Sequence, residues 1–414
     1  MILDVRDVDE LLAGCPARPA GTRCVGLEVQ GESAAGENYG STFLIVNALF
    51  QDGKGVTTKV PAVCKRLPPT EYLRSVFNVN VSHPKEVNFY RLLVPALEAL
   101  QAELRVPEAE RIRCFPRLFG ARNGGGKDPD VVDDDAILVL EDLCAAGYRS
   151  GDRNTGMDLD HCRLALRELA HLHALGIVMR RLRPEVFSGR AFQATCAHFM
   201  HDRMDVYKEE TSNFENNSVE LVLQEVPEVL TLLDEDALRK GVATLSSRDT
   251  STRKEPFYTV VHNDFWVNNM MFAYDDASGR PDRLKMVDFQ LTEIGSPVRD
   301  LLFFIYSSAD SDALARADDL VREYHAELER YARLHGLDGD DLGWSAFERE
   351  LEAEAPDVLG QLMLMTSIIR AQTKIEKTDT NSDDAFAKGL GVSASAKTRY
   401  MEIVRDFVKK GWVR

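Results

Sequence analysis

The chain has 414 residues, and its 50 basic and 67 acidic residues give a net charge of −17. A hydrophobic fraction of 44% is enough for a substantial core in two or three domains or in one large two-lobed unit. The acidic balance argues against nucleic acid or an anionic membrane as the main partner, because phosphate binding requires a basic surface.

The sequence indicates a cytoplasmic protein without a membrane span. Its first residues, MILDVRDVDELLAG, carry acids where a signal peptide needs a basic end and an apolar stretch. No apolar run approaches the ~20 residues that cross a bilayer. The seven cysteines are scattered without a C-x-x-C pair, which is typical of buried thiols in a reducing compartment and indicates neither a disulfide framework nor a zinc site.

Strands dominate the first part of the chain. Alternating apolar residues predict strands at Thr42–Phe50 and Val60–Arg66, joined by a hairpin turn at Asp52–Gly55. Two further strands are predicted at Cys114–Phe119 and Ala136–Leu140.

One helix is predicted among these strands. Ser82 is a candidate N-cap, and Pro84 suits the first turn. One face of this helix, at spacing i, i+3, i+4 and i+7, comprises Glu86, Phe89, Tyr90 and Leu93.

Helices dominate the remainder, so the sequence predicts an α+β fold of two lobes. We expect an N-terminal lobe at 1–141, a hinge at 142–148 and a mainly helical lobe at 149–414. Apolar residues at helical spacing mark Asp160–Leu175, Leu314–His335 and Val358–Arg370.

A hairpin interrupts the helical half. Short strands are predicted at Asn269–Tyr274 and Leu284–Phe289, around a turn-rich segment. An antiparallel hairpin brings the start of its first strand beside the end of its second. We therefore expect Asn269 and Asp288 to lie close together.

The residues at this hairpin are those that phosphoryl transfer requires. His262 begins the pattern H-x-D-x-x-x-x-N, in which Asp264 can accept the proton of an attacking hydroxyl. Asn269 and Asp288 supply the oxygen ligands that Mg²⁺ prefers. Asp and Asn are also ordinary residues at strand ends. The joint pattern favours a phosphotransferase site.

These motifs resemble known families. His262–Asn269 with Asp288–Gln290 is similar to the catalytic segment of the aminoglycoside phosphotransferase/choline kinase (CHK kinase-like) group, which has a protein-kinase-like fold. The fuller text, HNDFWVNNMMF followed by MVDFQLTEIGSPVRDL, resembles the ecdysteroid kinase-like family from about Gly36 to Tyr331. The other motifs that carry the resemblance are Gly36–Ser41, Cys64–Pro68, Glu86–Tyr90, Leu138–Leu143 and Leu169–Ala174.

One position departs from the family pattern. Asn263 stands where the family usually has Gly between the His and the Asp. Because Asn tolerates positive φ better than most residues, we expect the turn to be kept.

A kinase-like site implies an ATP-binding lobe. Lys65 is the candidate for the strand lysine that reaches the phosphates, held by Glu86 of the following helix; a surface lysine and a solvated glutamate are the alternative. The glycine-containing loop Gly36–Ser41, before the predicted strand Thr42–Phe50, can cover phosphates or be an ordinary hairpin turn. Its candidate nucleotide contacts are Asn38, Gly40 and Ser41.

The resemblance implies roles for several further residues. Glu141 and Leu143 occupy the inter-lobe hinge, where backbone groups would meet adenine. Asp300 resembles a family aspartate that supports the catalytic loop, with an exposed helix cap as the alternative. His173, on an apolar helix face, and His262 are expected to shape that loop and not to transfer protons.

The molecule that accepts the phosphate is the feature that the sequence determines least. An apolar cluster at Leu362–Met365 with Ile368 and Ile369 can face a hydrophobic substrate or be plain core. The resemblance implies an ATP/Mg²⁺-dependent small-molecule kinase that acts on a hydroxyl of an ecdysteroid or another lipophilic alcohol. The acidic balance leaves open a cationic acceptor such as choline or an aminoglycoside. A protein kinase is disfavoured because D-F-Q replaces D-F-G, and a binding protein that has lost transfer would lack a key residue, whereas none is missing.

Overall fold

A large antiparallel sheet forms the N-terminal part of the computed structural model. In sheet order its six strands are Ile2–Leu3, Arg23–Glu32, Thr42–Gln51, Thr57–Arg66, Ile137–Glu141 and Leu118–Arg122. The structure describes residues 2–4, 7–32, 41–126, 128, 130–189, 195, 217, 219–247, 255–337, 340–371 and 392–413.

The predicted strands are present with shifted ends. The hairpin pairs Phe43 with Lys65 in register and confirms the two strands predicted around its turn. The strand predicted from Cys114 begins only at Leu118, because residues 114–117 form irregular chain.

The two faces of this sheet have different partners. Side chains alternate between faces along a strand, so Cys64 and its neighbour Lys65 point in opposite directions. Cys64 belongs to a buried cluster that includes Val46 and Phe50 and that the N-terminal segment covers with Leu12. Lys65 therefore lies on the opposite face of the sheet, which faces the helical part of the chain.

Helices make up most of the remaining chain. Within the described ranges the α helices are Val8–Leu11, Glu71–Val76, Val79–Asn88, Val94–Glu103, Leu159–Leu182, Pro184–Phe187, Glu235–Ser247, Val298–Ser308, Ser311–Leu314, Ala317–Leu334, Trp344–Ile369 and Ala394–Lys409. With the antiparallel sheet, they confirm the predicted α+β fold.

The helix that carries Glu86 begins earlier than predicted. It starts at Val79 after Asn78, which has a positive φ of 41°, so Pro84 lies inside the helix and Ser82 is not its N-cap. The chain continues as a π-helical turn at Phe89–Leu93. Tertiary packing outweighs the local capping preference here, since Val79 and Ser82 are both buried.

Two smaller sheets lie in the helical part. The strands Met270–Tyr274 and Pro281–Met286 form the predicted antiparallel hairpin, with Arg149–Ser150 at its other edge. The strands Thr259–Val261 and Glu293–Gly295 form a separate pair. The H-x-D motif lies between the strands Thr259–Val261 and Met270–Tyr274, and the D-F-Q motif lies between Pro281–Met286 and Glu293–Gly295.

A glycine allows one of these strands to approach the long helix Leu159–Leu182. A Cβ on Gly176 would lie 2.1 Å from Thr259 Oγ1 and 2.9 Å from the Val260 nitrogen. The close approach lets Thr259 Oγ1 donate a hydrogen bond to the His173 carbonyl at 2.6 Å. The chain therefore enters the H-x-D motif from a strand that is fixed against this helix.

The described residues contain no helix that is long and apolar enough to cross a membrane. Five described cysteines are buried as predicted, but Cys144 is exposed because it lies in the surface turn after Glu141. Cys196 lies outside the described residues.

Candidate active site

A buried lysine joins the sheet to the catalytic hairpin. Lys65 Nζ donates to Glu86 Oε2 at 2.6 Å and to Asp288 Oδ1 at 2.7 Å. The Lys65 and Glu86 side chains are 5% and 2% exposed. The Lys65–Glu86 pairing was expected from the sequence, whereas the contact with Asp288, 223 residues away, was not.

Aromatic packing holds the two acids in place. Phe89 follows Glu86 by three residues and Phe289 follows Asp288 directly; their rings stack with centroids 3.7 Å apart and planes 8° from parallel. The edge of Phe115 contacts both rings. Such ring pairs contribute ~0.5–1.5 kcal/mol beyond the area they bury. The positions of Glu86 and Asp288 therefore depend on each other.

The two carboxylates of this cluster stabilise the charge of Lys65. Burial alone would lower the pKa of Lys65, but the carboxylates of Asp288 and Glu86 outweigh burial and raise it above its ordinary value. Burial raises the pKa of Glu86, with Lys65 acting in the opposite direction. Lys65 is therefore a permanent cation facing the cleft side of the sheet.

The H-x-D loop brings Asp264 and Asn269 into contact. Asn269 Nδ2 donates to Asp264 Oδ2 at 2.8 Å and to the Asp264 carbonyl at 2.8 Å. The pairing of the hairpin continues to the residue before Asp288, because the Val287 N–H donates to the Asn269 carbonyl at 3.0 Å. The prediction that the hairpin brings Asn269 and Asp288 together is confirmed.

Asp264 is half-buried and difficult to ionise. Burial, with the negative charge of Asp288 as the next cause, raises its pKa to about 7, while the hydrogen bond from Asn269 acts in the opposite direction. A carboxylate with a pKa near neutrality can both accept and release a proton at physiological pH.

Asp300 holds the backbone of the catalytic loop. Its Oδ2 accepts from the His262 N–H at 2.6 Å, and its Oδ1 accepts from the Asn263 N–H at 2.7 Å. His173 Nε2 lies 3.1 Å from Asp300 Oδ2, and His173 Nδ1 lies 2.6 Å from the Tyr324 hydroxyl. Asp300 is 1% exposed, so the alternative of an exposed helix cap is wrong.

Asn263 and His262 shape the turn before Asp264. Asn263 has a φ of 66°, which confirms that Asn takes the left-handed conformation at this point. His262 Nε2 lies 3.0 Å from the Val287 carbonyl, which requires the proton on Nε2. Burial lowers the pKa of His262, so the ring is neutral and bridges the loop to the hairpin.

The two residues expected at the hinge, Glu141 and Leu143, make local contacts. The side chain of Glu141 turns toward Arg117, whose Nε donates to it at 2.6 Å. Leu143 is buried, and its carbonyl accepts from the Tyr148 N–H at 2.9 Å. Ser41 is buried just before its strand, whereas Asn38 and Gly40 lie outside the described residues.

The available oxygens suit a magnesium ion. Asn269 commits its nitrogen to Asp264, which leaves its Oδ1, and Asp288 uses Oδ1 for Lys65, which leaves its Oδ2. The repulsion between Asp264 and Asp288 also favours a cation between them. Within the described ranges no group of three His, Cys, Asp or Glu residues could hold a metal alone. Two protein oxygens are nevertheless enough for Mg²⁺, which keeps waters and takes phosphate oxygens.

Two contacts, one with His173 behind the loop and one with the loop itself, were missed in the sequence. Tyr324 anchors His173 from a helix 151 positions away, and no local pattern indicates that pairing. Gln361 Nε2 donates to the Asn263 carbonyl at 3.2 Å. The sequence contained a signal for this contact, because Gln361 is a lone amide next to an apolar run.

Comparison with known proteins gives a family and distant structural similarities. The model of the ecdysteroid kinase-like family matches residues 35–337, whereas no curated protein matches. A choline kinase from Cryptosporidium parvum is 11% identical, with 97% of this chain and 96% of that one covered and a TM-score of 0.45. An ethanolamine kinase from Plasmodium vivax is 12% identical, with 94% of this chain and 84% of that one covered and a TM-score of 0.40. The GDP complex of an aminoglycoside 2'-phosphotransferase variant is 13% identical, with 97% of this chain and 95% of that one covered and a TM-score of 0.35.

The family match covers most of the chain and defines the class of protein: a small-molecule kinase with a hydroxyl acceptor. More narrowly, the chain belongs to the ecdysteroid kinase-like family. A kinase-like family implies the use of ATP and magnesium in general.

Proposed function

We propose that the protein transfers the γ-phosphate of ATP to a hydroxyl of a lipophilic alcohol such as an ecdysteroid. The observation that carries this proposal is Asp264, a carboxylate with a pKa of about 7 that lies beside the Lys65–Glu86–Asp288 cluster. Phosphoryl transfer needs positioned charges around the triphosphate and one group that orients the attacking hydroxyl.

Asp264 acts as the base in this proposal. It orients the acceptor hydroxyl and takes its proton as the oxygen attacks phosphorus and the bond to the ADP oxygen breaks. Asn269 keeps the Asp264 carboxylate in one orientation through the 2.8 Å hydrogen bond. Asp300 fixes the loop behind it through the two backbone N–H groups.

The nucleotide lies between the lobes 1–141 and 149–414, with the hinge 142–148 at the adenine end. Lys65 contacts the phosphates while Glu86 holds its ammonium group. Ser41, with Asn38 and Gly40 of the same loop, covers the phosphates. Backbone groups at Glu141 and Leu143 meet the base.

Asn269 and Asp288 hold the magnesium ion through their remaining oxygens. When bound, Mg²⁺ neutralises phosphate charge and orients the triphosphate. Removal of the Asn269 oxygen by Asn269→Ala would therefore weaken Mg²⁺-dependent nucleotide binding and would also release Asp264 from its hydrogen bond.

Mass spectrometry of ATP/Mg²⁺ reactions tests the proposal. The protein is incubated with a pooled library of steroids, amino alcohols and glycosides, beside the Asp264→Asn variant. We expect a steroid product heavier by one phosphate, formed by the wild type and absent with the variant. Nucleotide binding without any phosphorylated product would instead support a kinase-fold protein that has lost transfer.

A further inference from the structure

The helix Trp344–Ile369 reaches the catalytic loop with one of its faces. Gln361 donates from Nε2 to the carbonyl of Asn263, the residue before Asp264, at 3.2 Å. The helix is fixed here from behind, because a Cβ on Gly360 would lie 2.0 Å from the Gly241 carbonyl oxygen. Its position beside Asp264 therefore follows from backbone packing and does not depend on a mobile contact.

The apolar cluster predicted at the end of this helix divides into two sides. Leu362, Met363 and Ile369 are at most 1% exposed and belong to the core. Leu364 and Ile368 are only half-buried, and they share a face with Gln361 at spacing i+3 and i+7. The core interpretation is thus correct for these three residues and for Met365, which packs against the core, whereas Leu364 and Ile368 lie outside the core.

The same face carries unsatisfied hydrogen-bond acceptors. Gln361 Oε1 and Asn263 Oδ1 are both shielded from solvent and have no hydrogen-bond partner among the described residues. The amide orientation of Gln361 is set, because only its nitrogen can donate to the Asn263 carbonyl. A buried amide oxygen without a donor costs ~1–3 kcal/mol, so a ligand that supplies an O–H is favoured there.

We propose that Gln361, Leu364 and Ile368 form the wall that binds and selects the acceptor. Gln361 Oε1 accepts a hydrogen bond from a second hydroxyl of the acceptor, and the two apolar side chains pack against its body. This inference rests on the proposed kinase function, since the wall is defined by its continuity with Asp264.

The dimensions and charge of the wall specify its occupant. Seven residues at ~1.5 Å each place Ile368 about 10 Å beyond Gln361 along the helix axis, the length of a fused-ring molecule. The face carries no charge from Gln361 to Ile368. The nearest carboxylate on this helix, Asp357, shares the face but precedes Leu364 by seven residues, or about 10 Å along the helix axis. The occupant is therefore an apolar molecule with more than one hydroxyl, whereas a cationic amino alcohol would leave the apolar pair uncovered.

Binding measurements with steroids test the wall independently of phosphate transfer. Ecdysone, which carries several hydroxyls, is titrated by calorimetry into the wild type and into Leu364→Ala and Ile368→Ala. We expect each substitution to weaken ecdysone binding at least tenfold. Leu314→Ala, a matched half-buried leucine on another helix, is expected to change it less than twofold. Equal affinity in all variants would overturn the proposal.

A second variant, compared with two steroids, tests the role of the Gln361 amide. Gln361→Met keeps the side-chain length and removes the amide. It is expected to weaken ecdysone at least fivefold while changing the affinity for pregnenolone, which has a single hydroxyl, less than twofold. An equal loss for both steroids would contradict the role of Gln361 Oε1.

The two proposals fail in different ways. If ecdysone binds with the expected dependence on Leu364 but is never phosphorylated, the wall stands and the kinase function falls. If the wild type phosphorylates choline and neither binds nor phosphorylates ecdysone, the kinase function stands and the wall is wrong.

Discussion

Replacing Asp264 by Asn should abolish turnover and at the same time stabilise the fold. Asn has nearly the same shape and can still accept the hydrogen bond from Asn269, but it cannot ionise. The variant therefore resembles the protonated form of Asp264. We expect kcat to fall ~10²–10⁴-fold, the usual contribution of general base catalysis.

The magnitude of the stabilisation follows from the pKa of Asp264. Its value of about 7 lies about three pH units above the ordinary 3.8, and each pH unit corresponds to ~1.4 kcal/mol. The upper limit is therefore ~4 kcal/mol above pH 7. Because Asp264 is half-buried, water screens part of this cost, and we expect about 2 kcal/mol, or a rise of ~2 °C in Tm for 414 residues.

The raised pKa of Asp264 determines how the stability gained in Asp264→Asn changes with pH. A carboxyl whose pKa is higher in the folded than in the unfolded protein favours folding below the unfolded pKa, and this contribution is lost as the pH rises through the folded value. The advantage of Asp264→Asn should thus be absent below pH 4, grow between pH 4 and 7, and stay constant above pH 7.

Urea denaturation of both proteins at pH 5 and pH 8 measures the difference in the free energy of unfolding. Asp276→Asn, an exposed aspartate in the nearby hairpin turn, serves as the control and should change neither stability nor activity. A gain that is equal at both pH values, or a variant that is less stable at pH 8, would refute the argument.

Variants of Lys65, Asn263 and Asp300 test the contacts around the site. Lys65→Met leaves Glu86 and Asp288 facing each other without a cation and should lower the free energy of unfolding by ~3–5 kcal/mol, measured by urea denaturation. Adding Glu86→Gln should recover part of this loss of stability. No recovery would count against the ion cluster. Asn263→Ala should cost ~1–2 kcal/mol because of its positive φ, whereas Asn263→Gly should stay within ~0.5 kcal/mol; equal costs would show that φ does not matter. Asp300→Ala should cost ~2–4 kcal/mol, since two buried N–H groups lose their acceptor, and should lower kcat more than it raises the KM for ATP.

Local patterns predicted the parts of the site that lie within one supersecondary unit. An antiparallel hairpin has a fixed register, so the positions of Asn269 and Asp288 in the sequence determined that they would meet. The strand that carries Lys65 was identifiable from its alternation and its turn. In both cases the information lies within about twenty residues.

The remaining features depend on packing between distant segments. Ser82 satisfies the local rules for an N-cap, yet the helix begins at Val79 because buried contacts extend it. Tyr324 reaches His173, and Gln361 reaches the catalytic loop, from separate helices, which no spacing encodes. The helix that carries the apolar cluster packs through Gly360 against Gly241, more than a hundred residues away in the sequence.

The anchoring of the catalytic loop to Asp300 divides the protein into parts that can change at different rates. Asp300 belongs to a helix that is buried along its whole length, so the loop is held from the core and its shape is insulated from the cleft. The proposed acceptor wall, by contrast, is carried by another helix and contributes one hydrogen bond to the loop. Substitutions on that face can alter which alcohol is bound without disturbing the chemistry, so a single transfer machinery can be reused for new substrates by redesigning one helical surface.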